Sequence, residues 1–216
     1  MKFTKLDDPT ILAPYLSAFD CVRKPGKGIY CSSELTSGRR WNRVLEQHGV
    51  KSDSALKEKL GAADYGRCYQ MNMESNKGWS ARFATIVRHS QNDGTDVIDP
   101  GPLKVPDWKQ DQYYAFWETL IRTHVREVRF NQDWQFSNGC TYEFAVAFDT
   151  RIPTLDSEGT ELNPYAAVEL VQKAVANLKE DGFDTTKLEK HLQLMESLVS
   201  IKLPEQGSSY QDRPNF

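Results

Sequence analysis

The sequence holds no C-x-x-C pair, no run of about 18 apolar residues and neither glycine-rich phosphate fingerprint, G-x-x-x-x-G-K-[ST] or G-x-G-x-x-G. The first absence argues against a zinc knuckle or a thioredoxin-type centre, because Cys21, Cys31, Cys68 and Cys140 stand far apart along the chain. The second argues against a membrane span, so no membrane partner is expected. The third removes the common nucleotide-binding signatures. Aspartates 93, 96, 99, 107 and 111 miss the D-x-D-x-D-G spacing of a calcium loop. None of the four histidines has a second histidine or a cysteine three or four residues on, so neither a metal nor any other cofactor is expected. The first twenty residues carry charges and a proline where a secretory signal needs an apolar stretch, which sets a cytoplasmic address and free thiols as expectations.

What the chain does have is a soluble composition with uneven charge. Of 216 residues, 39% are hydrophobic and 26% charged, with a formal net charge of −3. Fifteen Lys and Arg face nine Asp and Glu up to residue 89, and twelve face twenty-one beyond it, giving +6 and −9. Such asymmetry is a sequence-level indication of an anionic partner.

Hydrophobic spacing predicts a first helix through Leu12, Leu16 and Phe19, a short strand at residues 28–31, a helix over 37–48 and another capped by Ser52 or Asp53. Alternating apolar side chains at 67–73 and 79–87 predict an antiparallel hairpin, and Ser137-Asn138-Gly139 predicts a second between 133–136 and 140–149. Between them, about twenty residues from Asp107, including Val125 and Val128, follow a helical period. Asn163-Pro164 starts a helix through Val168, Val171, Val175 and Leu178, and Leu188, Leu192, Met195 and Val199 mark a last one. The expected fold is α+β: an antiparallel sheet of two hairpins covered by helices, with a C-terminal helical pair. One domain over residues 1–203 and a polar tail over 204–216 are expected.

Two regions carry candidate chemistry. In the basic front, Arg23, Lys24 and Lys27 lie beside glycines, and Arg39, Arg40 and Arg43 begin a helix, where charge and free N–H groups favour anions. Arg82 and Arg88 extend this ligand-binding set. Aromatic residues stand near these charges, but most alternating aromatics are core, and solvated surface charge is the plain alternative. On the predicted 140–149 strand, Glu143 lies on the face with Thr141, Ala145 and Ala147; enclosed, its carboxyl would titrate near neutrality and serve as an acid or base. His124, on the apolar side of the long helix, is its candidate partner, although a buried histidine is commonly a hydrogen-bonded core residue. Cys140, just after a tight turn, is a further candidate nucleophile.

The sequence therefore admits three functional classes. The favoured one is a non-catalytic binding or accessory protein contacting nucleic acid or an acidic protein surface through its basic front. A self-associating homo-oligomeric subunit is the second. The third is a metal-independent hydrolase or transferase on an anionic substrate, using His124 and Glu143.

Overall fold

A computed structural model describes Phe3 and residues 9–91 and 94–202. Residue 203 and the expected tail over 204–216 lie outside the described residues. After a 3-10 turn at Pro9–Leu12 come α1 (Ala13–Val22), β1 (Gly28–Ser32), α2 (Arg39–Gln47), α3 (Asp53–Ser90) and β2 (Val97–Ile98). The chain continues through α4 (Gln110–His124), β3 (Val125–Phe130), α5 (Asn138–Asp149), β4 (Thr154–Leu155), α6 (Pro164–Glu180) and α7 (Thr186–Lys202).

The four strands form one sheet in the order β2-β1-β3-β4, and every pairing is parallel. This corrects the expected antiparallel sheet, because both predicted hairpins are helical. Residues 67–73 and 79–87 lie within α3, and 140–149 within α5; 134–136 form a 3-10 turn.

The reason for the first error is visible on α3. Its buried face beyond residue 75 is Asn76, Ser80, Phe83, Ala84 and Val87, a helical spacing that includes two polar residues, while Met71, Trp79 and Ile86 face solvent. Counting large apolar side chains therefore marked the wrong face. In α5, every residue from Cys140 to Ala147 is buried, so no period separates inside from outside. Ser137 does not make a hairpin turn; its hydroxyl accepts the Cys140 N–H at 3.5 Å and caps α5. The helix expected from Asp107 ends at His124, and Val125 and Val128 belong to β3, which follows α4 without a connecting loop.

The sheet is covered on both faces, as parallel sheets require. Ile29 and Cys31 of β1 pack with Val97 against Phe83, Ala84 and Val87 of α3. Tyr30, Val128 and Phe130 point the other way into a larger core with α4 and α5. Helices α6 and α7 form the expected C-terminal pair and cover α5 from outside, through Leu188, Leu192, Met195 and Val199 among others. Asn163 caps α6 by accepting the Tyr165 and Ala166 N–H groups at 2.9 and 3.3 Å. Among the described residues, no helix is long and apolar enough to cross a membrane.

Strand order places the site. From β1 the chain passes through α2 and α3 to β2 on one side, and from β2 through α4 to β3 on the other. Neighbouring strands whose connections diverge leave a crevice beyond their carboxyl ends, here beyond Ser32 and Phe130.

Candidate functional site

A cavity of about 390 Å³ opens at that crevice. The end of β1 contributes Ser33, with Leu35 and Thr36 from the loop behind it; α3 contributes Tyr69, Met73 and Lys77. The connection from β2 to α4 supplies Pro100, Gly101 and a run from Leu103 to Trp108, and α4 supplies Tyr113, Tyr114 and Trp117. The start of α5 closes it with Ser137, Gly139 and Glu143.

Glu143 is the chemical centre of this cavity. It sits on the second turn of α5, directed at β1, where Tyr30 donates its hydroxyl to Oε1 at 2.7 Å and Ser32 donates to Oε2 at 2.6 Å. Tyr30 is completely buried and reaches across from the centre of the sheet; Ser32 is the last residue of the strand. Burial raises the carboxyl to about 7, against the opposing pull of the two hydroxyl hydrogen bonds. No cationic side chain among the described residues contributes to that balance. The group therefore changes its protonation near neutrality while lining a cavity.

The neighbouring hydroxyls and thiol are held neutral. Burial pushes the Tyr30 and Tyr114 hydroxyls and the Cys140 thiol above their ordinary ranges, and the Glu143 charge adds to each shift. Cys140, fully buried one helical turn before Glu143, is thus a neutral thiol rather than an exposed nucleophile. Asp99, just past β2, is occupied by the Ser80 hydroxyl at 2.6 Å and the Gly101 N–H at 2.9 Å.

The wall from the β2–α4 connection is fastened to α4. The Tyr113 hydroxyl accepts the Val105 N–H at 3.0 Å and lies 3.2 Å from the Val105 carbonyl, to which it can donate. Trp108 packs edge-on against Tyr113 at 5.1 Å and also touches Phe116. Trp117 lies 5.6 Å from the Tyr30 ring. Tyr69, Trp108, Tyr113, Tyr114 and Trp117 thus make the cavity strongly aromatic.

His124 is not brought to Glu143. Its carbonyl accepts the Lys27 N–H at 3.1 Å, just before β1 begins, whereas Glu143 meets Ser32 at the strand's other end. Five residues separate those levels by roughly 16 Å. The His124 ring, 3% exposed, has Nδ1 2.7 Å from the Thr123 hydroxyl and Nε2 2.8 Å from Asp20. It is a buried, locally partnered histidine.

The basic residues also divide between the two ends of the sheet. Arg23 pairs with Asp96, and Lys24 and Lys27 line a shallow cleft of about 380 Å³ with Arg126 near the amino end of β1. Arg39, Arg40 and Arg43 are on α2, beyond the carboxyl end. There Arg39 lies over Phe136 and 3.4 Å from Asp133, and Arg40 pairs with buried Glu34 at 3.0 Å while covering Trp79. Arg43 lines a separate surface cleft with Glu46. Arg82 packs on Trp79, and Arg88 is exposed near the end of α3. The set does not form one patch.

Tyr30, Ser32 and the aromatic lining were missed as site residues. The available signal was Gly28-Ile-Tyr-Cys-Ser-Ser33: a fully buried strand ending in two small hydroxyl residues, as the carboxyl end of a central parallel strand commonly reads. Among the described residues, no cluster of three or more His, Cys, Asp and Glu side chains is arranged to hold a metal ion. The chain matches no family model, and no curated protein or solved structure matches it significantly.

Proposed function

We propose that the protein is a hydrolase or transferase acting on a small molecule in the crevice, with Glu143 as its proton-carrying group. The observation that carries this reading is a buried carboxyl at the switch point of a parallel sheet, aligned by two hydroxyl donors and lining a cavity large enough for an organic ligand. A purely structural carboxyl in that position would be a costly choice, since an apolar residue would pack without desolvating a charge. A group titrating near 7 is matched to acid–base work at physiological pH. Tyr30 and Ser32 act as positioning residues, fixing both carboxyl oxygens so that the remaining lone pairs face the ligand. His124 has no place in this scheme.

The test is product formation from a panel of nucleotides, glycosides and esters, followed by proton NMR with wild-type protein and Glu143→Gln. The substitution is nearly isosteric and should reduce turnover by about 10²–10⁴-fold. Equal turnover by the two proteins would end the proposal.

A second reading, contact with an anionic partner such as nucleic acid or an acidic protein, is favoured by one observation: Lys24, Lys27 and Arg126 share the cleft at the opposite end of the sheet. Binding of a phosphate polymer there should weaken steeply with salt and with Lys24→Ala/Lys27→Ala. Absence of binding at low salt would remove this reading.

A further inference from the structure

We infer that the Glu143 cavity takes an organic cation, an N-alkylated aromatic ring or a quaternary ammonium, seated among aromatic side chains with its charge against the Glu143 carboxylate. This names the ligand class of the site proposed above and rests on that reading for its chemical step, though not for binding.

Three observations lead to it. First, the carboxyl's direct partners are the hydroxyls of Tyr30 and Ser32, and no cation among the described residues supports its charge. A buried carboxylate without a counter-ion is costly, and a cationic ligand supplies the missing charge. Second, the walls include Tyr69, Trp108, Tyr113, Tyr114 and Trp117, whose ring quadrupoles attract cations, Trp and Tyr most strongly. Third, the other ionisable groups around the carboxyl provide no second proton carrier to the cavity; Glu34, past the end of β1, is also raised to about 7 but is paired with Arg40 at 3.0 Å outside the lining. Tyr30 on β1, Tyr114 on α4 and Cys140 on α5 are held protonated by burial and by Glu143 itself. Asp99 at the end of β2 is engaged by Ser80 and Gly101, and His191 of α7 lies behind Tyr114 and Tyr142. At the rim, α3 brings Lys77, whose ammonium is 2.9 Å from Glu74, and the β2–α4 connection brings Lys104 and Asp107, of opposite charge.

One proton carrier is enough when the leaving group is already positive. Glu143 takes a proton from water, and the water oxygen forms a bond to the carbon attached to the cationic nitrogen. The carbon–nitrogen bond breaks with its electron pair passing to nitrogen, which leaves as a neutral amine without needing an acid. Glu143 then returns the proton to solvent, so a cation and water give an alcohol, an amine and a proton.

The binding test uses N-methylpyridinium, a permanent cation, and 3-methylpyridine, uncharged at pH 8, titrated against the full chain by ligand-observed NMR. The cation should bind at least tenfold tighter than its neutral counterpart at pH 8. Because it binds the ionised carboxyl, its affinity should fall about 30-fold from pH 8 to pH 5.5. Glu143→Gln should bind it weakly and without that pH dependence. Equal affinity for the neutral ring, or an affinity for the cation that ignores pH in the wild-type protein, overturns the inference without relying on any variant folding. Cation binding without turnover of N-glycosidic or other N-alkyl cations would remove the enzymatic reading and leave this one standing. Turnover of neutral substrates lost in Glu143→Gln, with no cation bound, would do the reverse.

Discussion

Glu143 moves from an ordinary carboxyl value of 4.5 to about 7 on folding, while His191 moves from 6.5 to about 4, each because burial disfavours its charged form. Their stability signatures have opposite signs. For Glu143 the folded chain retains a proton that the unfolded chain releases, so its stabilisation is complete below pH 4.5 and is lost as pH rises to 7, roughly 3 kcal/mol in all. For His191 the unfolded chain takes up the proton first, so stability present above pH 6.5 is lost as pH falls toward 4, again by roughly 3 kcal/mol. Urea unfolding from pH 4 to 8 should therefore show the stability advantage of wild type over Glu143→Gln shrinking as pH rises, and that over His191→Gln growing from pH 4 to 6.5. Parallel profiles in either comparison would show that the group is not desolvated as described. Glu34, also raised to about 7 by burial although Arg40 opposes the shift, adds a slope of the Glu143 sign to all three proteins.

At the scale of an element, α3 is continuous in outline but interrupted at Gly61, whose φ of 78° and ψ of 163° lie in a region that side chains other than glycine's strongly disfavour. That break turns the first short helical stretch away from the long one. Gly61→Ala should cost about 1–3 kcal/mol, by the backbone alone, since no heavy atom of the described residues lies within 4 Å of the added methyl group. Gly66→Ala and Gly78→Ala, at exposed helical positions with equally open surroundings, should instead stabilise by about 0.5–1 kcal/mol. Equal effects of the three substitutions in urea unfolding would contradict the break. Gly38, the N-cap of α2, is constrained differently. Its φ is 126°, and a methyl group there would meet the Glu34 carboxylate, so Gly38→Ala should loosen the Glu34–Arg40 pair that fastens α2 to the end of β1.

For the whole molecule, α5 is the element that joins sheet, site and C-terminal helices. It is buried from Cys140 to Ala147, with α4 and the sheet beside it and α7 covering it from outside. A chain ending before Pro164 would uncover that helix and the site residue it carries. It should lose cooperative thermal unfolding and bind a hydrophobic dye; a sharp transition in the truncated chain would show that the sheet and α5 form a core without α6 and α7.

The caps of α3 and α6 and the periodic faces of the C-terminal pair were legible in the sequence, because cap chemistry and helical spacing are local. Ser52 and Asn163 accept N–H groups within three residues, and Leu188, Leu192, Met195 and Val199 recur at the spacing of one helical face. Glu143 was legible as a carboxyl whose enclosure would matter, although on a strand rather than a helix. Tertiary structure alone decided that α3 presents Asn76 and Ser80 inward and Trp79 outward, that α5 is buried on every side, and that the strands pair in parallel. It also decided that Tyr30 and Ser32 meet Glu143, more than 110 residues away, while His124 stands at the other end of the strand. The physical reason is that a residue's own side chain fixes what it can do, whereas burial and pairing depend on which distant segments share its space.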